Sequence, residues 1–287
     1  PIASVTDMDV IYKRVDIYIN RIKREGNNQF MRVDESSNVE ISEYDKLIFI
    51  IENSIKNKLF EVYFQEKYNS LNEKVVGLEA LARLFISDEM IAPSRFIPII
   101  DDVNLGISFG LVIIEKVFES YEKIIEKYGK EVIVSINISP QQLSCDTFIE
   151  DIKLYMEMYK IEPLNIEFEI SENILIGNVE STIIILEELK AIGVKIAIDD
   201  FGTGYSSLKY ISDLPIDVIK IDKTFVNRIL VDDKIREIVS SVIRIANVAN
   251  YSVIAEGVET IEQVEILKEL GCNLIQGYYY SKPMPLD

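Results

Sequence analysis

Two adjacent carboxylates, Asp199 and Asp200, close an alternating apolar run of Val194, Ile196 and Ile198. A second run further on, Val218-Ile219-Lys220-Ile221-Asp222, adds a lysine and another acid. Alternation at every second residue is the period of a strand. Acids that emerge together from an apolar strand repel unless positive charge stands between them, so the spacing points to a bound metal ion or an anionic ligand held through metal. The ordinary alternative is a pair of N-caps for helices that follow the strands. Between the runs, Phe201-Gly202-Thr203-Gly204-Tyr205-Ser206-Ser207 has glycines for a tight backbone and serines suited to opening a helix around Leu208 and Tyr210. It lacks the third glycine of a dinucleotide-binding loop.

The chain has no histidine. That removes Ser-His-Asp and Cys-His nucleophile systems, HExxH zinc proteases and metal sites built on His with Asp. Any metal site must be oxygen-lined, which points to magnesium or manganese rather than zinc. The two cysteines, Cys145 and Cys272, have neither disulfide-framework nor CxxC spacing. Net charge is −18, from 48 acidic and 30 basic residues, which disfavours binding to a nucleic-acid polymer. A small anionic substrate stays compatible if metal ions and a few basic side chains reverse the local field.

These chemical groups need a scaffold, and 287 residues with 48% hydrophobic content supply one large core. No apolar run reaches membrane-spanning length and none resembles a signal peptide, so a cytoplasmic location is expected. Because the sequence begins at Pro1, the expectation extends to a longer protein with an upstream membrane-anchored or sensor region.

Ile11, Val15, Tyr18 and Ile22 form a helical stripe that Gly26 ends, and residues 29–33 read as a short strand. Residues 34–43 are polar and acidic and read as a linker. A fresh helix is expected over about 44–57, with Leu47, Ile48, Ile51 and Ile55 on one side. Beyond it strands alternate with helices. The strands read as 60–64, 75–78, 132–136, 166–168, 194–198, 218–222, 251–255 and 273–275, and they end at Gln65, Glu79, Asn137, Glu169, Asp199-Asp200, Lys220, Glu256 and Gln276. Thr147 with Glu150 and Thr260 with Gln263 match the capping box, while Gly193 and Gly271 sit where helices stop. Ile235, Ile238, Val239, Val242 and Ala246 mark an amphipathic helix.

Eight strands separated by helices argue for an α/β fold, a (β/α)8 TIM-type barrel preceded by a short N-terminal helical segment. The first two strands are too close for a parallel crossover, so the first is expected to run antiparallel. Active sites of such barrels lie at the C-terminal ends of the parallel strands, where the ring of polar strand ends falls.

The same residues carry a resemblance. Glu79-Ala80-Leu81 with Arg83, Asn137-Ile-Ser139-Pro-Gln-Gln142-Leu143, Glu169-Ile-Ser171-Glu172, Asp199-Asp-Phe-Gly-Thr-Gly-Tyr-Ser206, Lys220-Ile-Asp222, Glu256-Gly-Val-Glu259 and Gln276-Gly-Tyr278 stand in one order from about residue 44 to 285. In that order they resemble the EAL domain, a cyclic-di-GMP phosphodiesterase domain. The resemblance implies metal-dependent hydrolysis of cyclic di-GMP to linear 5'-pGpG, with two Mg2+ or Mn2+ ions. Glu79, Asn137, Glu169, Asp199, Asp200 and Glu256 would be the metal ligands, and Lys220 would orient or deprotonate the attacking water. Burial and the neighbouring cations are expected to lower the proton affinity of Lys220. Gln65, Leu81, Arg83, Asp222, Glu259 and Gln276 would bind the substrate or support its site, and Glu172 would anchor the loop from Phe201 to Ser207.

The alternatives are a receptor module that binds cyclic di-GMP without turnover and a purely structural or dimerising domain, which would leave the polar ring unexplained. The sequence departs from the family pattern at Glu66 (usually Pro), Leu84 (usually Trp), Ser171 and Asn173 (usually Thr and Ser) and Asp102-Val-Asn104 (usually Glu-Thr-Gly), none of them an expected ligand. Residues 1–33 resemble the closing helix and strand of a GGDEF domain, which implies an upstream GGDEF-like partner module. Homodimerisation is also implied, with Tyr205 and Tyr210 as candidate contacts.

Overall fold

The computed structural model describes residues 35–87, 89–176, 179–202 and 214–286. The expected N-terminal helix and strand, with the GGDEF-like segment 1–33, and Tyr205 and Tyr210 lie outside them.

The barrel is a closed ring of eight strands. In chain order these are β1 (Glu61–Asn69), β2 (Lys74–Ile86), β4 (Ile133–Ile138), β5 (Ile166–Ser171), β6 (Lys195–Phe201), β7 (Val218–Ile221), β8 (Ser252–Ala255) and β9 (Leu274–Gln276). β2 and β4 to β9 run parallel. β1 pairs antiparallel with both β2 and β9 and so closes the ring. The expected antiparallel first strand is therefore present, but it is longer than the 60–64 read from sequence and descends the barrel past Gln65 to Asn69.

Strand alternation separates two environments. In β5, Ile166, Phe168 and Ile170 alternate with Glu167 and Glu169, and all five are buried. Phe168 meets the ring of Phe148 at 6.2 Å, which places its face of the strand against helix α5 (Phe148–Tyr159). The opposite face points into the barrel, where Ala197, Val218 and Ile254 form an apolar cluster with Leu274. That interior is a packed layer, as in other barrels of this type.

Helices α3 (Gly106–Tyr128), α5, α6 (Val179–Ile192), α8 (Asp233–Ala249) and α9 (Ile261–Glu269) alternate with the strands; α4 (Pro140–Leu143) and α7 (Lys223–Val226) are single turns after β4 and β7. The capping box at Thr260 and Gln263 forms. The one expected at Thr147 does not: its hydroxyl donates to Asp151 Oδ2 at 2.9 Å, and no side-chain cap bond is made. Gly193 and Gly271 have φ of 104° and 91°, as helix-ending positions do. α8 buries Ile235, Val239, Ile243 and Ala246 at helical spacing, and leaves the expected Ile238 exposed.

A second compact unit comprises residues 35–60 with Leu84–Phe109. It contains α1 (Glu35–Lys56), α2 (Pro93–Asp102) and the short β3 (Glu89–Ile91), which pairs with the end of β2 and was not foreseen. Phe60, Phe96 and Phe109 pack as a ring cluster, and Tyr44 donates to Asp102 Oδ2 at 3.0 Å. α1 begins at Glu35, so the stretch read as a linker over 34–43 is helical from its second residue. Polar, acidic composition there is as compatible with a helix start as with a loop. Among the described residues no helix is long and apolar enough to cross a membrane.

Candidate active site

Parallel strands that all point one way deliver their last inward-facing residues to one mouth. Glu79 of β2, Asn137 of β4, Glu169 of β5, Asp199 of β6, Lys220 of β7 and Gln276 of β9 arrive there, with Glu256 immediately after β8. At their centre is Lys220, whose side chain has no exposed surface. Its Nζ lies 2.5 Å from Glu169 Oε2, 2.6 Å from Glu256 Oε1, 3.2 Å from Asp199 Oδ1 and 3.7 Å from Glu79 Oε2. Asn137 Nδ2 donates to Glu79 Oε1 at 2.9 Å, and Gln276 Nε2 donates to Glu79 Oε2 at 2.6 Å and to Gln65 Oε1 at 3.2 Å.

Four carboxylates around one ammonium leave negative charge in excess. Burial and repulsion from Glu169 raise Glu79 above the usual carboxylate range. Burial pushes Glu256 up to about 8, with Asp199, Glu79 and Glu169 adding to the effect and Lys220 opposing it. Asp200 is raised by burial and by Asp199 and Asp222. Glu169 is the exception: burial acts upward, but Lys220 and Lys67 outweigh it and hold the group down at about 2. The expectation for Lys220 included bound cations; the protein groups by themselves act the other way. Burial does act to lower its proton affinity, yet Glu169, Glu256, Glu79 and Asp199 overcome it and place Lys220 well above its ordinary value.

Asp199, Asp200 and Glu256 offer carboxylate oxygens within 4.8 Å of one another. Hard oxygen donors with uncompensated negative charge fit a divalent cation such as Mg2+ or Mn2+. Asp200 reaches this cluster with a left-handed φ of 55°, a conformation that aspartate tolerates better than most residues, and its amide donates to Asp199 Oδ1.

The other expected residues are placed as follows. Glu172 Oε2 accepts from the amide of Gly202, the residue after β6. Gly202 has φ of 93°, and a Cβ there would come within 3.0 Å of the Phe225 ring. Gln65 Nε2 donates to Ser281 O. Asp222 caps the α7 turn through Thr224. Leu81 is half-buried opposite Tyr63. Arg83 lies at 5.3 Å over the Tyr63 ring and donates to Ala82 O. Glu259 is exposed and engages Gln263 through its backbone amide.

Sequence reasoning missed a second charged layer below the first. Lys67 of β1, Ser135 of β4 and Glu167 of β5 are buried, and Lys67 Nζ contacts Ser135 Oγ at 2.5 Å, Glu167 Oε1 at 3.0 Å and Glu169 Oε1 at 2.7 Å. Burial acts to lower the pKa of Lys67, but Glu167 and Glu169 carry it above its ordinary value. The missed signal is the two-residue period: Lys67 follows Gln65, and Glu167 precedes Glu169, at strand spacing. A cavity of about 420 Å3 opens at the opposite, N-terminal mouth, with Lys67 and Glu167 on its wall and none of the acids around Lys220.

The chain is similar in sequence and in fold to known proteins. The bifunctional diguanylate cyclase/cyclic di-GMP phosphodiesterase MucR of Pseudomonas aeruginosa is 29% identical over 273 residues, 95% of this chain and 40% of MucR. The cyclic di-GMP phosphodiesterase RocR of the same organism is 31% identical over 255 residues, 88% of this chain and 64% of RocR. The chain thus spans about two-fifths of MucR and under two-thirds of RocR. A solved structure of the PaMucR phosphodiesterase in complex with c-di-GMP superposes with a TM-score of 0.80 at 30% identity, covering 84% of this chain and 98% of that one. Residues 50–283 match the EAL domain family, and the chain belongs to it.

Proposed function

We propose that this chain is a metal-dependent phosphodiesterase that opens one ester of cyclic di-GMP to give linear 5'-pGpG. The observation that carries the reading is the buried Lys220 inside four carboxylates at the C-terminal mouth of the barrel. Relatives named as cyclic di-GMP phosphodiesterases support the substrate.

Glu79, Asn137, Glu169, Asp199, Asp200 and Glu256 would hold two divalent cations. Bound there, such ions would neutralise phosphoryl oxygens, stabilise the leaving alkoxide and make water nucleophilic near neutral pH. The chain's own groups do the rest. Lys220 is an ammonium at neutral pH, so it orients water and stabilises negative charge on its oxygen. It becomes a base only where added positive charge displaces its proton. Gln276 and Asn137 fix both oxygens of Glu79, so that carboxylate is presented in one orientation. Arg83, buried and held over Tyr63, would be the cation for a substrate phosphate, and Gln65, Leu81, Asp222 and Glu259 would bind the substrate or support its site.

The same proposal includes a cytoplasmic location, a homodimer and control by an upstream GGDEF-like or sensor domain. The last is supported by the share of MucR that this chain spans. The test is incubation with cyclic di-GMP and Mg2+ or Mn2+, with Glu79→Ala alongside. Metal-dependent pGpG that disappears in the variant supports the enzyme, whereas tight binding without product under either metal would leave the receptor reading.

A further inference from the structure

The charged layer beneath the mouth is expensive to build. Barrel interiors are ordinarily filled by branched apolar side chains, as Ala197, Val218, Ile254 and Leu274 fill the other half of this layer. Lys67 enters instead from the antiparallel strand, opposite Gly77 of β2 and Gln276 of β9. A Cβ on Gly77 would stand 2.9 Å from Ile133 O, so the bare glycine lets β4 approach closely, and it would meet Lys67 Cδ only at an ordinary contact of 3.5 Å. The ammonium has three hydrogens and three acceptors, Ser135 Oγ, Glu167 Oε1 and Glu169 Oε1, and Ser135 in turn donates to Glu167 at 2.6 Å.

Glu167 balances the charge of Lys67, and buried ion pairs in general can often be replaced as a unit by well-packed apolar residues without loss of stability. What the pair adds is its grip on Glu169. The two oxygens of that carboxylate are held by different ammonium groups, Oε1 by Lys67 from below and Oε2 by Lys220 at the mouth.

We propose that Lys67 is a positioning residue that keeps Glu169 a one-oxygen ligand and thereby favours a small octahedral cation over a larger one. The proposal rests on the reading of Glu169 as a cation ligand. Mg2+ demands near-ideal octahedral geometry, whereas Ca2+ accepts six to eight oxygens and readily takes both oxygens of a carboxylate. With Oε1 held from below by Lys67, Oε2 is the oxygen that faces the mouth, where a cation would take the place of Lys220 on it.

The test is calorimetric titration with Mg2+ and with Ca2+, without nucleotide, on the whole chain and on Lys67→Met/Glu167→Gln, which removes one charge of each sign. Circular dichroism and the thermal midpoint establish that the variant is folded. The expected result is Mg2+ binding weakened about tenfold, the size typical of losing a partner that orients a ligand, with Ca2+ binding kept or strengthened. Equal affinities to the parent chain, or an equal fall for both ions, would overturn the proposal. Lys67→Met/Glu167→Leu, apolar like the rest of the layer, serves the same comparison should the first variant not fold. Glu167→Gln alone leaves Lys67 on Glu169 and should keep the parent ion preference; a shift like that of the double variant would count against Lys67. Glu169→Gln separates the underlying reading: if it leaves Mg2+ binding untouched, Glu169 is not a ligand, and both readings fall at that residue.

Discussion

Glu172 Oε2 accepts the amide hydrogen of Gly202 at 2.7 Å, which ties the residue after β5 to the residue after β6. Gly202 follows the strand that carries Asp199 and Asp200, so this bond fixes the chain just beyond the acid pair. Glu172→Ala removes a charge-assisted acceptor from a buried position, and the orphaned amide should cost about 1–3 kcal/mol. Chemical denaturation with urea would measure it. A loss below a few tenths of a kcal/mol would show that water replaces the carboxylate there.

Lys220 competes for the same oxygens that a cation needs. Lys220→Met should therefore abolish hydrolysis and at the same time tighten Mn2+ binding by at least about tenfold. That is ~1.4 kcal/mol, a modest part of the repulsion between an ammonium and a divalent ion a few ångström apart at an effective dielectric near 20. Electron paramagnetic titration of free Mn2+ reads the affinity without any turnover. Weaker Mn2+ binding in the folded variant would mean that Lys220 organises the acids rather than competing for them.

Stability in the presence of chelator should fall as pH rises from about 5 to 8. Glu79 and Asp200 are raised in the folded chain and Glu256 stands at about 8, whereas an unfolded glutamate titrates near 4.3 and an unfolded aspartate near 3.9. The folded state therefore binds more protons across that window, and its advantage is lost as they leave. Glu169, lowered to about 2, has the opposite sign: its contribution is complete above about pH 4.3 and is lost only as pH falls toward 2, outside the window. Lys67 and Lys220, both raised, contribute unchanged throughout it. Thermal midpoints at pH 5, 6.5 and 8 check the slope, and added Mg2+ should flatten it.

Only one of the two cysteines should react with a thiol reagent in the native chain. Cys272 is buried with Sγ at 3.5 Å from Val253 O and Leu274 O, and burial pushes its thiol up to about 12. Cys145 is half-buried. One equivalent released by Ellman's reagent at pH 8 before unfolding, and two after, is the expected count. Two in the native state would place β8 and β9 in frequent opening.

Most of the mouth was legible in the sequence because parallel strands share a direction. Reading where each apolar run ends identifies what reaches the C-terminal mouth, and Glu79, Asn137, Glu169, Asp199 and Gln276 were found that way. The rule fails for a strand that runs the other way. β1 passes the mouth at Gln65 and then descends, so Lys67 lay beyond an apparent end and was read as connection. Glu167 was hidden differently: inside an apolar run, a single acid looks like a solvent-facing alternation until Lys67 supplies the partner. How many acids surround Lys220 was not legible either. Burial can be guessed from the strand pattern, but the number of carboxylates reaching one nitrogen depends on strand order, which one sequence does not print. At the other end, composition alone could not distinguish a linker at 34–43 from the polar first turns of α1.

The ring closes through partners far apart in the chain. β1 and β2 form a local hairpin, whereas Gln276 meets Gln65 across 211 residues and Glu79 across 197. Contacts of such separation are reached late in folding, after the local elements have formed. Glu79 has its Gln276 partner only once β9 has docked, so a partly folded chain with every helix in place still lacks the assembled mouth. During refolding, Mn2+ uptake should therefore lag behind the helical signal and mark the moment when the last strand completes the circle.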